Sequence, residues 1–311
     1  MNALAALART ATGVLVVADR RVVELHGELL DAPHHLIDAD ERAKTVATWE
    51  RVLDACVAQR LDRGALLVGY GGGMVLDVAG FAAASYLRGV DWVSVPTTLL
   101  AQVDAAHGGK TGVDHPAAKN LIGAFHLPRA VPLNPAYLAT LPEREIAGGL
   151  AEVVKHGVIG LPSLLERAGR DDPATFVVEA AQVKIDIVAR DPREQGERRL
   201  LNLGHTLGHA VERASDYELH HGEAVAIGLR AACRIAEAHC AFEDSAVVDD
   251  ALDRCGLPRT AAVHPADVRA ALVHDKKRHA DRLRWVLPVA LGDVRVFDDV
   301  PDALIAAAVG A

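Results

Sequence analysis

Residues 1–140 alternate between short apolar runs and stretches with helical periodicity. The segment "GVLVVAD" at 13–19 is a continuous apolar run that ends in a polar residue, which is typical of a buried parallel strand. A helical pattern over 41–62 follows, then a strand-like run over 65–73, "ALLVGYGGG". Next come a helical "VLDVAGFAAASYL" and a strand-like "DWVSVPTT". This rhythm predicts an α/β fold built on a parallel sheet, with ligand-binding loops at the carboxyl ends of the strands.

The pattern changes after the segment "LPERE" at 141–145. Long helical stretches then follow one another, at 143–158, 175–190, 199–214, 222–241 and 245–255. Near the end, "RLRWVLPVALGDVRVF" at 282–297 alternates like a β-hairpin around Leu291, Gly292 and Asp293. We therefore predict an α/β domain over 1–140 and a mostly α-helical domain over 141–311.

Composition limits the class of protein. Half of the residues are hydrophobic, but charges or glycines interrupt the apolar runs, so no membrane span is predicted. The net charge of −9 argues against a nucleic-acid partner. The N-terminus lacks the charged region of a signal peptide, and the four cysteines form no C-x-x-C pair. These features favour a reduced, cytoplasmic protein.

A run of three glycines, Gly71 to Gly73, stands between a predicted strand and a predicted helix. Glycines allow a ligand to approach the backbone closely, and a helix N-terminus offers free N–H groups to a phosphate. The run is not G-x-G-x-x-G, so the ordinary dinucleotide fingerprint is absent, and a tight turn explains it as well. Asp19, at the end of the first strand, suits either ribose hydroxyls or a helix N-cap.

Lysine is used sparingly, so its positions are informative. Lys110 and Lys119 stand beside glycine and asparagine in "HGGKTGVDHPAAKN", which suggests an anion site. Glu152 and Lys155 are three residues apart on an otherwise apolar helix. A buried carboxylate and ammonium at this spacing can equally be a structural ion pair.

Histidines cluster in the motif "NLGHTLGHAVE" and in "HHGEAVAIGL". His205 and His209 are four residues apart and share one face of a helix. His220 and His221 follow shortly after. Two histidines and one carboxylate, with an open position, are a common ligand set for catalytic zinc. The spacing alone leaves open whether a metal binds and which of these residues, with Glu152, would be its ligands.

The motifs together resemble those of the 3-dehydroquinate synthase family, within the wider group of sugar phosphate cyclases. They are "GGGMVLDVAGF", "SVPTTLLAQVDAAHGGKTG", "LPEREIAGGLAEVVKHG", "LLNLGHTLGHAVE", "HGEAVAIG" and "HDKK", and the resemblance runs from about Asp38 to the C-terminus. It implies tightly bound NAD and one divalent metal, zinc or alternatively cobalt. The implied reaction is the shikimate-pathway conversion of 3-deoxy-D-arabino-heptulosonate 7-phosphate to 3-dehydroquinate and phosphate, by transient oxidation, phosphate elimination, reduction and aldol closure.

The resemblance also implies residue roles. The metal ligands would be Glu152, His205 and His221. The NAD contacts would be Asp19, Glu41, Lys44, Gly72, Gly73, Asp77, Thr97, Thr98, Lys119 and Thr140. The substrate would meet Lys110, Asn120, Lys184, Arg198, Asn202, His209 and one of Lys276 and Lys277. Arg88 would come from the neighbouring subunit of a homodimer. The residues expected near the reacting atoms are Asp104 and Lys155, together with Lys110, Asn202 and His209.

The chain departs from the family's usual pattern at a few positions. It is shorter, through its N-terminus and the segment between Asp19 and Glu41. Leu76 and Ala118 replace common glycines, and we expect both on the nucleotide side; His107 replaces a small or apolar residue. Three alternatives remain: an aminodehydroquinate synthase, a polyol dehydrogenase of the glycerol dehydrogenase kind, and a non-catalytic descendant. The dehydrogenase has no need of the lysine and arginine clamps.

Overall fold

The computed structural model describes residues 2–216, 218–278 and 283–310. The chain divides into two compact units, Met1–Leu141 and Pro142–Ala311. Within the described ranges, no helix combines the length and the apolar character needed to cross a membrane.

A four-stranded parallel sheet organises unit 1, which confirms the predicted α/β class. Its strands are β1 (Val14–Asp19), β2 (His34–Ile37), β3 (Leu66–Gly71) and β4 (Asp91–Pro96), in the order β2-β1-β3-β4. Every residue of β3 is buried, as expected for a parallel strand covered on both faces. The carboxyl ends of β1 and β3 therefore bring Asp19 and the glycine run to the same edge of the sheet.

Four helices accompany this sheet: α1 (Asn2–Thr10), α2 (Arg20–His26), α3 (Val46–Ala58) and α4 (Gly73–Ser85). The predicted helix over 41–62 was too long at both ends. Glu41–Ala43 forms a separate 3-10 turn, and α3 starts only after Thr45, whose hydroxyl accepts a hydrogen bond from the Thr48 amide. The N-cap at Thr45 fixes where the helix begins, and the periodic pattern alone does not reveal it.

A β-hairpin completes unit 1, formed by β5 (Lys110–His115) and β6 (Ala118–Phe125). Ile122 packs against the core of the unit, while Leu121 and Phe125 on the other face of β6 are 48% and 53% exposed. A 3-10 turn, Tyr86–Arg88, follows α4, and a π-helical turn, Ala101–Ala105, precedes the hairpin.

Unit 2 is mostly helical, as predicted. Its helices are α5 (Glu143–Ile159), α6 (Ser163–Arg167), α7 (Val177–Arg190), α8 (His205–Ala214), α9 (His221–Cys240), α10 (Ser245–Arg254), α11 (Pro265–Arg278) and α12 (Asp302–Gly310). The predicted hairpin is present as β7 (Trp285–Ala290) and β8 (Asp293–Phe297). Twelve consecutive residues of α5, 148–159, are buried, so this helix lies at the centre of the unit.

The predicted helix over 199–214 was wrong in its first part. Glu197–Asn202 is a 3-10 turn, and α8 starts at His205 after Gly204, which adopts a left-handed φ of 77°. A Cβ at Gly204 would lie 2.8 Å from the Leu229 side chain. The glycine therefore breaks the helix and lets its backbone meet α9, which places His205 in the first turn of α8. Likewise, α7 starts at Val177 after a 3-10 turn, Pro173–Thr175.

Candidate active site

Three helices of unit 2 bring a carboxylate and two imidazoles together. Glu152 lies in the middle of α5, and His205 and His221 are the first residues of α8 and α9. The Glu152 Oε1 atom lies 3.3 Å from His221 Nε2 and 3.5 Å from His205 Nε2. One ligand atom from each residue falls within 4.8 Å of the others. This donor set fits a catalytic zinc ion with an open coordination position.

The two oxygens of Glu152 have different partners. Oε2 forms an ion pair with the ammonium of Lys155, and Oε1 faces the two histidines. Both side chains are essentially inaccessible to solvent, with Glu152 at 0% and Lys155 at 1% exposure. The structural ion pair and the potential metal ligand are therefore the same carboxylate, since one oxygen serves each purpose.

The His205 imidazole is held by the backbone. Its Nδ1 lies 3.1 Å from the carbonyl oxygen of Leu203, so Nδ1–H donates and Nε2 keeps its lone pair toward Glu152. Burial, followed by the nearby Lys155 ammonium, lowers the pKa of His205 well below its ordinary value. The ring is therefore neutral at physiological pH, which is the form that binds a metal.

The His221 imidazole lies between two carboxylates. Its Nε2 faces Glu152, and its Nδ1 lies 3.7 Å from Glu212 Oε2. Burial lowers the pKa of His221, but the two carboxylates outweigh it and raise the pKa to about 10. A divalent cation on Nε2 would displace the proton there, because only the deprotonated nitrogen is a ligand.

His209 lies beside this cluster, with its ring centroid 5.2 Å from His205 and 6.1 Å from His221. It shares a second potential donor group with Glu212 and His221. His220 lies elsewhere: its Nδ1 is 3.3 Å from Glu145, and it belongs to no candidate donor group in the described ranges. The structure thus places His221 in the cluster with Glu152 and His209 beside it, whereas His220 pairs with Glu145.

Several of the predicted substrate-binding residues lie in the same unit. Lys184 and Arg198 are both buried, and Arg198 Nη1 donates to the carbonyl of Pro192 at 2.6 Å. Asn202 Nδ2 donates to Glu194 Oε1, also at 2.6 Å. Lys184 comes from α7, and the other two polar groups come from the 3-10 turn before α8. The backbone of Lys276 and Lys277 belongs to α11, but their side chains lie outside the part that the structure describes.

In unit 1, the glycine run forms the turn from β3 into α4. Gly72 immediately precedes the helix, and a Cβ there would lie 3.0 Å from the Thr98 methyl group. Gly73 is the first residue of α4, so the helix N-terminus follows directly from the turn. Thr97 is buried, and its hydroxyl has no hydrogen-bond partner in the described ranges. The arrangement presents backbone N–H groups and a hydroxyl in the manner of a phosphate-binding turn.

The predicted NAD contacts Glu41, Lys44, Asp77 and Lys119 form two ion pairs. Lys44 Nζ lies 2.5 Å from Asp77 Oδ2, and Lys119 Nζ lies 3.7 Å from Glu41. Lys44 also donates to Asn120 Oδ1 at 2.6 Å, so Asn120, a predicted substrate contact, is hydrogen-bonded to a predicted NAD contact. Burial lowers the pKa of Lys44, but Asp77 and Glu41 outweigh it and the net direction is upward.

The other predicted residues of unit 1 are more scattered. Asp19 caps α2 by accepting from the Arg21 amide at 2.9 Å, and burial raises its pKa. The hydroxyl of Thr140 lies 2.9 Å from His26 Nε2. The remaining three are Asp104 in the π-helical turn, Lys110 at the start of β5, and Arg88. Lys110 and Arg88 are exposed, and Asp104 is half-buried.

Comparisons with known proteins agree with these motifs. The family model described as "3-dehydroquinate synthase N-terminal" matches residues 34–148, and the one described as "3-dehydroquinate synthase C-terminal" matches 149–278. The chain belongs to the 3-dehydroquinate synthase family. A 3-dehydroquinate synthase of Thermosynechococcus vestitus is 47% identical over 288 residues, which cover 87% of this chain and 78% of that protein. One from Halorhodospira halophila is 45% identical, covering 93% and 88%.

Solved structures of related cyclases extend the family likeness. A 2-epi-5-epi-valiolone synthase from Streptomyces hygroscopicus, with NAD+ and Zn2+ bound, has a TM-score of 0.89 at 32% identity and covers 97% of this chain and 91% of its own. A 2-deoxy-scyllo-inosose synthase, complexed with carbaglucose-6-phosphate, NAD+ and Co2+, has a TM-score of 0.82 at 25% identity, covering 96% and 90%. A probable glycerol dehydrogenase from Sinorhizobium meliloti, at 19% identity and a TM-score of 0.56, shares the fold alone.

The departures from the 3-dehydroquinate synthase pattern are accommodated locally. The Leu76 side chain is 1% exposed and packs with Ala101 and Ala106 in the interior of unit 1. His107 is buried, with its Nε2 2.9 Å from the carbonyl of Gln102. Ala118 is the first residue of β6.

Sequence reasoning did not single out Glu212. This residue is buried on α8, seven positions after His205, and faces Nδ1 of His221. The spacing of seven places both residues on one face of a helix, so the signal was present in the sequence.

Proposed function

We propose that this chain converts 3-deoxy-D-arabino-heptulosonate 7-phosphate to 3-dehydroquinate and phosphate, as a carbon–oxygen lyase that uses NAD and one zinc ion. The observation that carries the proposal is the meeting of Glu152, His205 and His221 in a chain of this family. A metal-dependent reaction on a hydroxyl needs such a set, because it leaves a coordination position open for substrate.

The bound groups would supply the redox chemistry: zinc would ease loss of the hydroxyl proton and polarise the resulting ketone, and NAD would take a hydride and later return it. Glu152, His205 and His221 would hold the zinc, and the Lys155 ammonium would keep the buried Glu152 ionised through their ion pair. The phosphate leaving group would accept the proton lost during elimination, so the chain needs no separate strong base there.

Cationic and amide groups would hold the substrate's phosphate and carboxylate. In unit 2, Lys184 and Arg198 are buried although charged, which is costly unless anionic or polar groups surround them. An anionic substrate would use such groups, whereas a neutral polyol would not. The proposed clamp consists of Lys110, Asn120, Lys184, Arg198, Asn202, His209 and one of Lys276 and Lys277.

The proposed NAD site lies in unit 1 at the turn from β3 to α4. Gly72 and Gly73 would let the pyrophosphate approach the backbone at the helix N-terminus. The buried Thr97 hydroxyl would gain a hydrogen-bond partner from the cofactor. The complete proposed set is Asp19, Glu41, Lys44, Gly72, Gly73, Asp77, Thr97, Thr98, Lys119 and Thr140.

We also propose that the enzyme is a cytoplasmic homodimer in which each subunit supplies Arg88 to its neighbour. Arg88 is exposed and has a left-handed φ of 70°, followed by Gly89 at 119°, so the backbone turns sharply after α4. The exposed apolar side chains Leu121 and Phe125 on β6 suit burial against a second copy. The four cysteines are free thiols, as a reducing compartment requires.

A product assay with and without NAD and zinc tests the proposal. Metal-stripped enzyme is supplied with heptulosonate phosphate, and 3-dehydroquinate and phosphate are quantified together with NADH. With NAD and zinc added back, equal amounts of both products and no net NADH are expected, since the hydride returns to the substrate; without zinc, neither product should form. Accumulating NADH would indicate a polyol dehydrogenase and contradict the proposal. Glu152→Gln should abolish turnover, while Glu237→Gln, an exposed carboxylate on α9, should not.

A cyclase of secondary metabolism is the second candidate, because the valiolone synthase structure matches this chain with a TM-score of 0.89. An aminodehydroquinate synthase would need much the same clamp. Competing the oxygen substrate against its nitrogen-containing analogue in one assay separates the two. A higher kcat/KM for the nitrogen analogue would favour this second candidate. Repeating the assay with cobalt identifies the more effective metal.

A further inference from the structure

The two candidate metal-binding imidazoles are oriented by different groups. A backbone carbonyl, that of Leu203, holds Nδ1 of His205 at 3.1 Å. Nδ1 of His221 instead faces a side chain, the carboxylate of Glu212, at 3.7 Å. On both rings, Nε2 points to the same oxygen of Glu152. Of these two groups, only the Glu212 carboxylate can be removed by mutation, because the Leu203 carbonyl belongs to the backbone.

We propose that Glu212 is a positioning residue for the metal centre, which accepts the Nδ1 proton of His221 and thereby directs Nε2 toward the metal. The proposal rests on the metal site of the proposed function. When His221 binds a cation through Nε2, its one remaining proton is on Nδ1, and Glu212 is the carboxylate on that side. Carboxylates in this position fix the ring orientation and increase the basicity of the ligand.

Helix packing explains why Glu212 lies there. Gly204, Gly208 and Glu212 are spaced four residues apart, and so lie on one face of the chain entering and forming α8. A Cβ at Gly208 would lie 3.0 Å from the carbonyl of Ala224, and one at Gly228 would lie 2.8 Å from the Gly208 amide. The backbones of α8 and α9 are therefore nearly in contact.

The third residue of this row on α8, Glu212, lies opposite the first turn of α9. Gly204, just before α8, and Gly208, within it, occupy two successive positions on this face, and the next position carries the carboxylate opposite His221. Glu212 is 5% exposed, and a buried carboxylate is costly without a hydrogen-bonding or cationic partner. The imidazole of His221 provides one such partner. Close packing of the helices thus fixes the distance between the two side chains.

A competing role for Glu212 is that of a direct ligand. His209, Glu212 and His221 have donor atoms within 4.8 Å of one another, so they could hold a second cation. The two roles predict different stoichiometries. A positioning residue implies one zinc per chain with an affinity that depends on Glu212, whereas a second site implies two zinc ions, one of which is lost on mutation.

The test is zinc binding by purified, metal-stripped full-length protein, measured by competition with a chromophoric chelator. We expect one zinc per chain, with Glu212→Ala weakening binding by about 10- to 100-fold. Glu212→Gln should weaken it less, because an amide oxygen can still accept the Nδ1 proton. The visible spectrum of the cobalt-substituted protein should also change in both variants. Glu237→Gln, an exposed carboxylate on the same helix as His221, should leave affinity and spectrum unaltered.

The outcomes separate this inference from the proposed function. Unchanged affinity and cobalt spectrum in Glu212→Gln and Glu212→Ala would overturn the positioning role, as would two zinc ions per wild-type chain. Failure of the wild-type protein to bind zinc at all would contradict the proposed function itself. If Glu212→Ala does not fold, the nearly isosteric Glu212→Gln decides, with its fold checked by circular dichroism.

Discussion

The Nζ atom of Lys44 donates a 2.6 Å hydrogen bond to Oδ1 of Asn120, although the family resemblance assigns the lysine to NAD and the asparagine to substrate. Lys44 also forms an ion pair with Asp77 at 2.5 Å, and it is 4% exposed. Asn120 has a left-handed φ of 53° in the β5–β6 hairpin, and its backbone N–H donates to Asp114 Oδ1. One buried ammonium therefore links a predicted cofactor contact to a predicted substrate contact.

Replacing Lys44 by Met should weaken binding of both ligands. Removing one partner of a buried ion pair typically costs about 3–5 kcal/mol, so the free energy of unfolding should fall by roughly that order. Urea unfolding measures the stability, and calorimetry measures NAD and substrate affinities. Lys119→Met is the stability control, because its 3.7 Å pair with Glu41 is partly exposed and should be worth at most about 1 kcal/mol. Unaltered substrate affinity at saturating NAD would refute the link.

His205→Ala and His209→Ala should separate metal binding from turnover. His205 supplies a proposed zinc ligand, so its loss should remove most of the metal and all measurable activity. His209→Ala should retain one zinc per chain while kcat falls by about 100-fold or more, because the imidazole would contact the substrate phosphate. Elemental analysis of the two purified variants, alongside kcat, decides the matter. Equal loss of metal in both would contradict this division of roles.

The helix and strand rhythm was predictable from the sequence, but the points where helices begin were less so. Both α3 and α8 start later than their periodic patterns suggest. The reasons are local: the Thr45 N-cap in one case, and the left-handed Gly204 in the other. Periodicity reports which face is apolar, whereas caps and left-handed residues decide where the hydrogen-bond ladder starts.

The candidate site was predictable where it depends on contiguous motifs and not where it depends on distant pairs. Glu152, His205 and His221 were recognised through the family motifs, and the structure brings their ligand atoms together. The contact of Lys44 with Asn120 spans 76 positions and depends on the hairpin register. No local sequence pattern predicts a contact between residues so far apart in the chain. Glu212 is an intermediate case, since helical spacing from His205 could have identified it.

Gly228→Ala should weaken the proposed metal centre, although Gly228 is not one of its ligands. A Cβ at Gly228 would lie 2.8 Å from the Gly208 amide and still closer to the Gly204 carbonyl. Overpacking of this kind costs about 1–3 kcal/mol and would push α8 away from α9, which separates the proposed ligands. Thermal unfolding and zinc competition should both register the change. The matched control is Gly148→Ala on α5, where a Cβ meets no atom within 4 Å. Equal behaviour of the two variants would argue against tight packing as the cause.

A buried arginine in unit 2 should give the protein a measurable acid sensitivity. Arg230 is 1% exposed and donates to Asp249 at 2.7 Å and Asp253 at 2.8 Å. The hydrogen bond from Arg259, with added attraction from Arg230, holds the pKa of Asp253 below its ordinary 3.8. Because the folded pKa is the lower one, Asp253 stabilises the protein above pH 3.8, and this contribution disappears as the pH falls through the folded value.

Asp253→Asn should therefore reduce the free energy of unfolding at neutral pH, by about 1 kcal/mol for a pair at the edge of the core. The difference from wild type should shrink as the pH falls below 3.8 and disappear once it passes the lower folded pKa, where wild-type Asp253 is protonated in both states. Urea titrations across this range measure the difference. If the difference in free energy of unfolding between wild type and Asp253→Asn persists in acid, the charge of the carboxylate is not its cause. Asp250→Asn provides a control on the same helix, because Asp250 is exposed.

Mixing two inactive variants should restore activity if Arg88 acts across a dimer interface. Arg88→Ala removes the residue proposed to reach the neighbouring subunit, and Lys110→Ala disables a subunit's own substrate site. A heterodimer then contains one complete site, made of the Arg88→Ala subunit's own Lys110 and Arg88 of the other subunit. Random exchange yields half heterodimers, so activity should recover to about one quarter of wild type. Light scattering establishes the dimer, and a Lys110→Ala with His205→Ala mixture, which leaves every site incomplete, is the control. No recovery in an exchanged dimer would show that Arg88 serves its own subunit.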